Sequence, residues 1–350
     1  MTPLRLEYPV SVAILYTTED ETTVESMEQI NAALTKRGHM VRIFEVTKKN
    51  WKKALRVSGD VVINMIEDES TEWKLWAKVA KELEMLGRAQ LGIGMESIRF
   101  GGNKNRMKKR LIAHNLFTPK YRLIKEGYTP KLRSVEFPMI LKPVSQHASV
   151  GISLDSVVID QKELAERIKF LNQKVPGDVI AEEFIDGREF HITVIGNGKH
   201  VVSMPYTEIM FTGEYSDNWN VYSHDAKWNE SSWEYWNSKA ACPAILKRNV
   251  YKIVDELVVK AFRILQCRDV CRFDVRMNDK GVPYIIDLNV CPDLSYTEET
   301  ETWRSAKALG WSYAEFIETL VAITYKRHYR RLPNKMRERN FLLTARAGII

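Results

Sequence analysis

The chain has 350 residues, 45% of them hydrophobic and 28% charged, with a net charge of +7. This composition is typical of a folded protein with two or three domains, and it excludes disorder, a coiled coil and a repeat array. No uncharged stretch approaches the roughly 20 residues of a membrane span, so no membrane partner is expected. Four cysteines are too few for a disulfide framework in a chain this long, so we expect reduced thiols and a cytoplasmic protein.

The net charge is concentrated at one end of the chain. Residues 326–350 contain eight basic residues and one acidic residue, so the first 325 residues are neutral overall. The segment offers only Tyr329 and Phe341 for stacking on bases, which disfavours a nucleic-acid partner. We interpret residues 326–350 as a basic C-terminal tail that is solvated or docks on another surface.

Strand and helix signals alternate over the first hundred residues. Strands are predicted at 10–16, 41–46 and 60–66, and helices at 24–36 and 73–86. This alternation is typical of a parallel sheet covered by helices. Four glycines crowd residues 92–102, and we therefore predict an N-terminal parallel α/β domain over residues 1–102.

The pattern of predicted elements changes after residue 103. The predicted strands are 137–141, 179–185, 189–195 and a pair within 272–288, and the predicted helices are 104–115, 162–171, 247–265 and 312–327. The segment 216–241 carries four tryptophans among polar residues and has no clear period. For that segment we expect a long loop with one short helix.

A β-hairpin is predicted around the turn Asn278–Gly281, because both flanking segments alternate between polar and apolar residues. If Met277 pairs with Val282, Arg272 lies opposite Asp287 and Asp274 is one diagonal step away. Asn289 continues the same polar face. The opposite, apolar face is predicted to carry Phe273, Val275, Met277, Ile286 and Leu288.

The polar face of this hairpin offers two carboxylates and a carboxamide beside one guanidinium. With no histidine or thiolate among them, these oxygen donors suit a hard cation, Mg²⁺ or Mn²⁺. A solvated polar face with a cross-strand ion pair is the alternative. The apolar opposite face favours a polar set that faces a cleft or water.

Lys142 ends an apolar strand and precedes the small polar loop 145–151. An ammonium group beside exposed backbone amides is suited to binding phosphate. The spacing is not that of a P-loop, and no G-x-G-x-x-G follows the first strand. An ordinary surface lysine is the alternative interpretation of Lys142 alone.

Six motifs occur together in a recognisable order. They are Asn103-Lys104, the strand 137–142 with its loop to Gly151, the segment 182–189, Asp225-Ala226-Lys227, Arg272-x-Asp274, and Asp287-x-Asn289-Val290-Cys291-Pro292. Their order and spacing resemble those of the ATP-grasp ligases, and most closely the D-alanine:D-alanine ligase branch. The resemblance spans roughly residues 60 to 325.

The resemblance implies a fold and a domain organisation. The fold class is α/β, an ATP-grasp fold preceded by the N-terminal parallel α/β (pre-ATP-grasp) domain. Residues 103–185 would form the central lid subdomain, and residues 186–325 would form the C-terminal subdomain with the metal and catalytic site.

The resemblance also implies a nucleotide site for ATP. Lys104 and Lys142 would grip the phosphates, and Glu189 would hold the ribose hydroxyls. The phosphate loop would be His147, Ala148, Ser149 and Val150, and the adenine hinge would be Glu182, Glu183, Phe184 and Ile185.

For catalysis, the resemblance assigns two cations and three metal ligands. Lys227 would reach the γ-phosphate, and Arg272 would steady an acyl phosphate and the tetrahedral intermediate. Asp274, Asp287 and Asn289 would bind a pair of Mg²⁺ or Mn²⁺ ions.

The sequence departs from the branch where its substrates bind. Ala148 lacks the hydroxyl that the dipeptide ligases use near their first substrate. The substrate candidates are Asp293, Ser295 and Glu298, with an aspartate in place of a glycine and a glutamate in place of a serine. A carboxylate at Glu298 would repel an incoming carboxylate and favour an amine without one.

These observations predict an ATP-dependent carboxylate-amine ligase that forms an amide through an acyl phosphate and releases ADP and phosphate. Its partners would be a small carboxylate and a small amine, such as amino acids or their derivatives, and a homodimer stays open. One alternative is a D-alanine:D-alanine ligase with a remodelled pocket. Another is a non-catalytic nucleotide-binding scaffold protein.

Overall fold

A computed structural model describes residues 1–18, 21–67, 74–128, 130 and 136–329. Its N-terminal elements are β1 (Ser11–Tyr16), α1 (Glu21–Lys36), β2 (Met40–Glu45), α2 (Trp51–Ala54), β3 (Val61–Met65), α3 (Lys74–Met85) and α4 (Met95–Gly101). The strands pair in parallel in the order β2-β1-β3, which confirms the predicted parallel sheet. Trp73, the predicted start of the helix 73–86, lies outside the described residues.

The sequence prediction missed two short helices in this region. Both α2 and α4 are too short to show a helical period, and α4 lies within the glycine-rich stretch 92–102. Gly101 contacts Val290 so closely that a β-carbon there would lie 2.8 Å from a valine methyl group. A glycine is therefore required where α4 approaches the end of the predicted hairpin.

The central elements form a second layer. They are α5 (Lys104–Ile112), β4 (Tyr121–Ile124), β5 (Met139–Pro143), β6 (Val157–Val158), α6 (Gln161–Lys174) and β7 (Val179–Glu183). The strands pair antiparallel in the order β4-β7-β5-β6. The Asp160 side chain caps α6, and Leu164, Ile168 and Leu171 pack its apolar side on the sheet.

The remaining elements surround a larger sheet. They are β8 (Arg188–Asn197), β9 (His200–Ser203), β10 (Thr207–Phe211), α7 (His224–Trp228), α8 (Trp233–Asn237), β11 (Ser238–Ala241), α9 (Arg248–Ile264), β12 (Asp269–Met277), β13 (Pro283–Asn289), α10 (Glu301–Ala308) and α11 (Tyr313–Tyr329). This sheet is antiparallel, with the order β11-β10-β8-β12-β13 and with β9 paired to β8. The tryptophan-rich segment thus contains two helices and a strand, and the prediction of one short helix was wrong. No helix in the described ranges is long and apolar enough to cross a membrane.

Strands β12 and β13 form the predicted hairpin, but its register differs from the prediction. Asp274 lies directly opposite Asp287, and Arg272 lies opposite Asn289. Two differences cause this shift. The turn is one residue longer than predicted, because Met277 pairs with Pro283 and not with Val282, and a β-bulge between Asp274 and Val275 adds one more residue to β13. Ile286 therefore lines a cleft rather than the apolar face, where Ile285 is fully buried in its place.

The first and last parts of the described chain share one core. Ile14 of β1 and Ile30 of α1 belong to the same buried cluster as Phe316, Leu320 and Val321 of α11. The last helix is therefore part of the fold that holds the N-terminal sheet against the large sheet.

Arg327, which the sequence placed in the basic tail, lies in the last turns of α11 and forms a buried ion pair. Its guanidinium donates from Nε and Nη2 to the two carboxylate oxygens of Asp269, each at 2.8 Å. Asp269 is fully buried and also accepts from Asn197 Nδ2 and Gly92 N. Residues 330–350 lie outside the described residues.

We predict that Arg327→Met lowers the free energy of unfolding by about 3–5 kcal/mol, because it leaves the Asp269 carboxylate buried without its cation. Lys326→Met, one residue earlier and partly exposed, is the matched control and should change stability by less than about 0.5 kcal/mol. Urea denaturation measures both. Equal stability of the two variants would show that the Asp269 pair does not hold α11 in place.

Candidate active site

One cleft lies between the four-stranded sheet and the large sheet. It brings together all sixteen residues that the resemblance assigned to nucleotide, metal and catalysis: Lys104, Lys142, His147, Ala148, Ser149, Val150, Glu182, Glu183, Phe184, Ile185, Glu189, Lys227, Arg272, Asp274, Asp287 and Asn289. Asp293, Ser295 and Glu298 are not among its lining residues. Tyr222, Arg276 and Ile286 line the cleft without having been predicted to do so.

Two lysines converge on the buried carboxylate of Glu182. Lys142 Nζ lies 2.5 Å from Glu182 Oε1, and Lys108 Nζ lies 2.6 Å from Glu182 Oε2. Burial alone would raise the pKa of Glu182, but the two ammonium groups lower it to about 2. The Glu182 side chain therefore holds Lys142 in place at the end of β5, while Lys108 is fully buried behind it.

The polar loop after β5 has a strained turn. Ala148 and Ser149 have φ angles of +52° and +59°, a region that non-glycine residues seldom occupy. The Val150 N–H donates to His147 O at 3.0 Å, so this amide closes the turn rather than facing the cleft. Strained backbone of this kind is often found at binding sites, because amides that point outward can bind anions.

The predicted hinge lies where β7 leaves the four-stranded sheet. The N–H groups of Glu183 and Phe184 donate to Lys120 O at 2.8 Å and to Pro138 O at 3.1 Å. Within the described part of the chain, this leaves the Ile185 N–H as the hinge donor without a hydrogen-bond acceptor. Phe184 packs edge-on against Trp219, with ring centroids 5.4 Å apart. The two rings form an apolar wall beside the Ile185 N–H.

All three nitrogens of the Arg272 guanidinium are engaged by carboxylates. Nε and Nη2 donate to Asp274 at 2.8 and 3.2 Å, and Nη1 donates to Glu301 Oε2 at 3.1 Å. Burial would lower the pKa of Arg272, but Asp274 and Glu301 raise it. The same pairing holds the pKa of Asp274 well below its usual value, against the effect of burial. Both groups are therefore ionised at neutral pH.

His191 is fully buried in the middle of this charged face. Its Nδ1 lies 2.8 Å from Glu301 Oε1, and its Nε2 lies 3.3 Å from Glu189 Oε1. Burial would lower the pKa of His191, but Asp274, Glu189 and Glu301 raise it to about 9. The imidazolium thus connects Glu189, the predicted ribose ligand, to Glu301 and through it to Arg272.

Arg276 extends the charged face toward the hinge. Its Nη2 donates to Asn220 O at 2.6 Å and Gly187 O at 3.2 Å, and its Nε lies 3.6 Å from Glu189 Oε2. Its guanidinium carbon lies 4.9 Å from the centroid of the Phe184 ring. Arg276 therefore fixes the orientation of Glu189 relative to the hinge.

The segment 221–228 covers one side of the cleft. Trp228 Nε1 donates to Ala148 O at 3.1 Å, and Ser149 Oγ donates to Tyr222 O at 3.0 Å. Lys227 Nζ lies 4.7 Å from the Tyr222 ring centroid and points into the cleft. Burial lowers the pKa of Lys227, although Asp274 acts in the opposite direction. The hydrogen bonds of Trp228 and Ser149 join this covering segment to the loop after β5.

Asp274, Asp287 and Asn289 offer oxygen atoms on one face of the hairpin. Asp287 Oδ2 lies 3.0 Å from Lys104 Nζ, and Asn289 Oδ1 accepts one hydrogen bond from Cys291 N. In the described ranges, no three His, Cys, Asp or Glu side chains are close enough to hold a metal on their own. Two carboxylates and a carboxamide nonetheless fit a magnesium-like cation that also takes ligands from phosphate and water.

The three substrate candidates lie outside the cleft. Asp293 accepts hydrogen bonds from Ser295 N and Oγ, so both residues serve a local turn. The Glu298 side chain is 74% exposed and lies 2.5 Å from Lys307 Nζ. The cation beside Glu298 is thus Lys307, and the Glu298 carboxylate does not face the cleft.

Four charged residues of this site were not predicted from the sequence: Lys108, His191, Arg276 and Glu301. His191 and Arg276 alternate on the polar faces of β8 and β12, and that alternation was available as a signal. Glu301 gave no such signal, because its partner His191 lies 110 residues earlier in the chain. Lys108 follows Lys104 by four residues, and this spacing was also available as a signal because it places two side chains on the same face of a helix.

Comparison with known proteins identifies the family of the chain and its fold. The family model described as "D-ala D-ala ligase C-terminus" matches residues 118–322. A D-alanine--D-alanine ligase of Cupriavidus pinatubonensis is 28% identical over 242 residues, 69% of each chain. One of Bordetella petrii is 27% identical over 319 residues, which cover 89% of this chain and 91% of that relative. The crystal structure of the D-alanine--D-alanine ligase from Bacillus anthracis complexed with ATP superposes with a TM-score of 0.72 at 18% identity and covers 92% of this chain and 100% of that one.

The chain belongs to the D-alanine:D-alanine ligase C-terminal domain family and has the ATP-grasp fold. It is an ATP-dependent ligase that joins a carboxylate to an amine.

We predict that Glu182→Gln lowers the free energy of unfolding by about 3–5 kcal/mol, because two buried ammonium groups lose their counter-ion. Lys108→Met should cost less, since Glu182 keeps Lys142. The pKa of Glu182 is lowered from 4.5 to about 2, so its contribution is present above pH 4.5 and is lost as the pH falls toward 2. The difference between wild type and Glu182→Gln in urea denaturation should shrink over that range. A constant difference would mean that the Glu182 charge does not stabilise this site.

Proposed function

We propose that the cleft joins a small carboxylate, an amino acid or a derivative of one, to a small amine whose nitrogen is not flanked by a free carboxylate. A carboxylate oxygen of the first substrate attacks the γ-phosphorus of ATP and ADP leaves. The amine nitrogen then attacks the acyl carbon of the acyl phosphate, phosphate leaves and the nitrogen loses a proton. The observation that carries the ligase chemistry is that several cations line one cleft together with carboxylates of the hairpin: Lys104, Lys142, Lys227 and Arg272 with Asp274 and Asp287.

The nucleotide would lie between the two sheets. The Ile185 N–H and Phe184 face the base, and Glu189 faces the ribose. Lys142 and Lys104 are held at the phosphate end by Glu182 and Asp287. Because these lysines are already ordered by carboxylates, little side-chain entropy is lost when phosphate binds.

The transfer step would take place beside Arg272 and Lys227. Two of the five Arg272 N–H groups are not used by Asp274 or Glu301, and they can bind an oxygen of the acyl phosphate or the oxyanion. Lys227 brings a second cation to the γ-phosphate. Phosphoryl transfer needs positioning and charge neutralisation more than covalent participation, and both are available here.

Asp274, Asp287 and Asn289 would hold Mg²⁺ or Mn²⁺ against the phosphates. When bound, such ions neutralise the phosphate oxygens as charge develops on them. The protein side chains position the donors: the hairpin places Asp274 opposite Asp287, and Arg272 fixes the Asp274 carboxylate.

A dipeptide ligase that uses D-alanine as its second substrate is the other candidate, and the names of the relatives favour it. Against it, this chain has Ala148 in its phosphate loop, without the hydroxyl that the resemblance leads us to expect near the first substrate. The two candidates differ in one measurable property, whether the attacking amine carries a carboxylate.

We predict that Asp287→Asn lowers phosphate release from ATP by at least roughly a hundredfold, because one stabiliser of the transferring phosphoryl group is lost. Nucleotide binding without divalent cations should remain, since Lys142 and the hinge are unchanged. Mg²⁺ should strengthen ATP binding to the wild type but not to the variant. Asp279→Asn, an exposed aspartate in the turn of the same hairpin, is the matched control.

Calorimetric titration with and without Mg²⁺ and a phosphate-release assay measure these effects. The assignment of Asp287 is wrong if Asp287→Asn turns over like Asp279→Asn and still gains affinity with Mg²⁺.

A further inference from the structure

Tyr222 lines the cleft from the covering segment, and three of its contacts are with other residues of the site. Its backbone oxygen accepts from Ser149 Oγ, in the loop after β5, at 3.0 Å. Its ring centroid lies 5.7 Å from that of His191, and Lys227 Nζ lies over its ring, 4.7 Å from the centroid. The Tyr222 ring is therefore fixed against the lysine that would reach the γ-phosphate.

Lys227 differs from three other cations of the cleft in what holds it. Carboxylates hold those three: Lys104 by Asp287, Lys142 by Glu182, and Arg272 by Asp274 and Glu301. In the described ranges of the chain, Lys227 Nζ has no hydrogen bond and no ion pair, and its contact is the Tyr222 ring. An aromatic face thus takes the place of a carboxylate at this one cation.

A ring partner leaves the hydrogen-bonding capacity of Lys227 free. An ammonium group has three N–H donors, and a ring face attracts its charge without occupying them as a carboxylate would. A carboxylate in the same place would also repel the γ-phosphate. Because the ring restricts the long lysine side chain, less rotamer freedom is lost when phosphate binds.

We infer that Tyr222 is a positioning residue for Lys227, and that its aromatic face holds the ammonium group where the γ-phosphate of ATP binds. This inference rests on the proposed function, because it takes from it the contact between Lys227 and the γ-phosphate. The ring acts on the phosphate only through Lys227, and the Tyr222 hydroxyl has no part in this role.

Two nucleotides separate this role from a structural one. The β,γ-imido analogue of ATP keeps a γ-phosphate and resists its transfer, whereas ADP has no γ-phosphate. Calorimetric titration with each nucleotide and Mg²⁺ measures the dissociation constants, and it needs neither a carboxylate nor an amine substrate. A general defect of the cleft weakens both nucleotides alike, and loss of the γ-phosphate contact weakens only the analogue.

Tyr222→Leu removes the ring and should weaken binding of the analogue by about ten- to thirtyfold, the scale of a desolvated cation–π contact, with ADP binding within about twofold of wild type. Lys227→Met should show the same pattern. Adding Tyr222→Leu to Lys227→Met should cost no further affinity, because the ring then has no ammonium group to hold. Tyr235→Leu, in α8 and outside the lining of the cleft, is the matched control and should change neither affinity.

Fluorinated phenylalanines at position 222 keep the shape of the ring and test its charge distribution. Each fluorine withdraws negative charge from the ring face, on which the attraction of a cation depends. Tyr222→Phe should bind the analogue within about threefold of wild type. The affinity should then fall stepwise as fluorines are added to that phenylalanine, while ADP binding stays constant. This series keeps the inference testable if Tyr222→Leu does not fold.

Four outcomes would overturn the inference. Equal losses of analogue and ADP affinity in Tyr222→Leu mean that the ring only supports the cleft. A loss in Tyr222→Phe as large as in Tyr222→Leu assigns the role to the hydroxyl. A fluorine series without a trend excludes an attraction between ring and ammonium. An unchanged analogue affinity in Lys227→Met removes the γ-phosphate contact on which the inference rests.

Failure of the proposed ligation is a separate result. In that case no carboxylate and amine pair gives a product, but the binding differences between the analogue and ADP remain measurable and still decide the role of Tyr222.

Discussion

An isolated ion on the buried face of the large sheet would cost several kcal/mol, and this face carries Glu189, His191, Arg272 and Asp274. In the structure none of these four groups is isolated, because neighbouring groups of opposite charge share partners. Each carboxylate accepts from a cation that also contacts another carboxylate, and Glu301 closes the set from α10. The orientation of each group is therefore fixed by its neighbours before any substrate binds, which is what electrostatic catalysis requires.

The same constraint connects the site to the rest of the fold. Glu301 begins α10, and α10 leads into α11, whose buried side forms a core with the N-terminal sheet. On the other side of the cleft, Glu182 of β7 joins Lys142 of β5 to Lys108 of α5. Charged residues thus hold both walls of the cleft, while apolar packing holds the layers behind them. A substitution at a paired charge should affect stability and chemistry together.

Local patterns predicted much of the fold and most of the cleft. The parallel N-terminal sheet, the hairpin and the convergence of Asp274, Asp287 and Asn289 followed from strand alternation and turn residues. The register did not, because the turn is one residue longer than predicted and a bulge adds another residue at Ile286, and nothing in the alternation marks either difference. The position of Glu301 beside Arg272 and His191 could not be predicted for a similar reason. Glu298 and Glu301 both lie near the start of one helix, and only the packing of α10 decides which carboxylate is turned inward.

Trapping with hydroxylamine tests the central claim most directly, since this small nucleophile intercepts an activated acyl group without carrying a carboxylate. The enzyme is incubated with Mg-ATP, hydroxylamine and an amino-acid pool, and nucleotides and hydroxamates are quantified together. We predict ADP, phosphate and an acyl hydroxamate in equal amounts, as an acyl phosphate formed beside Arg272 requires. Formation of AMP and pyrophosphate, or of ADP without any hydroxamate, would contradict the account.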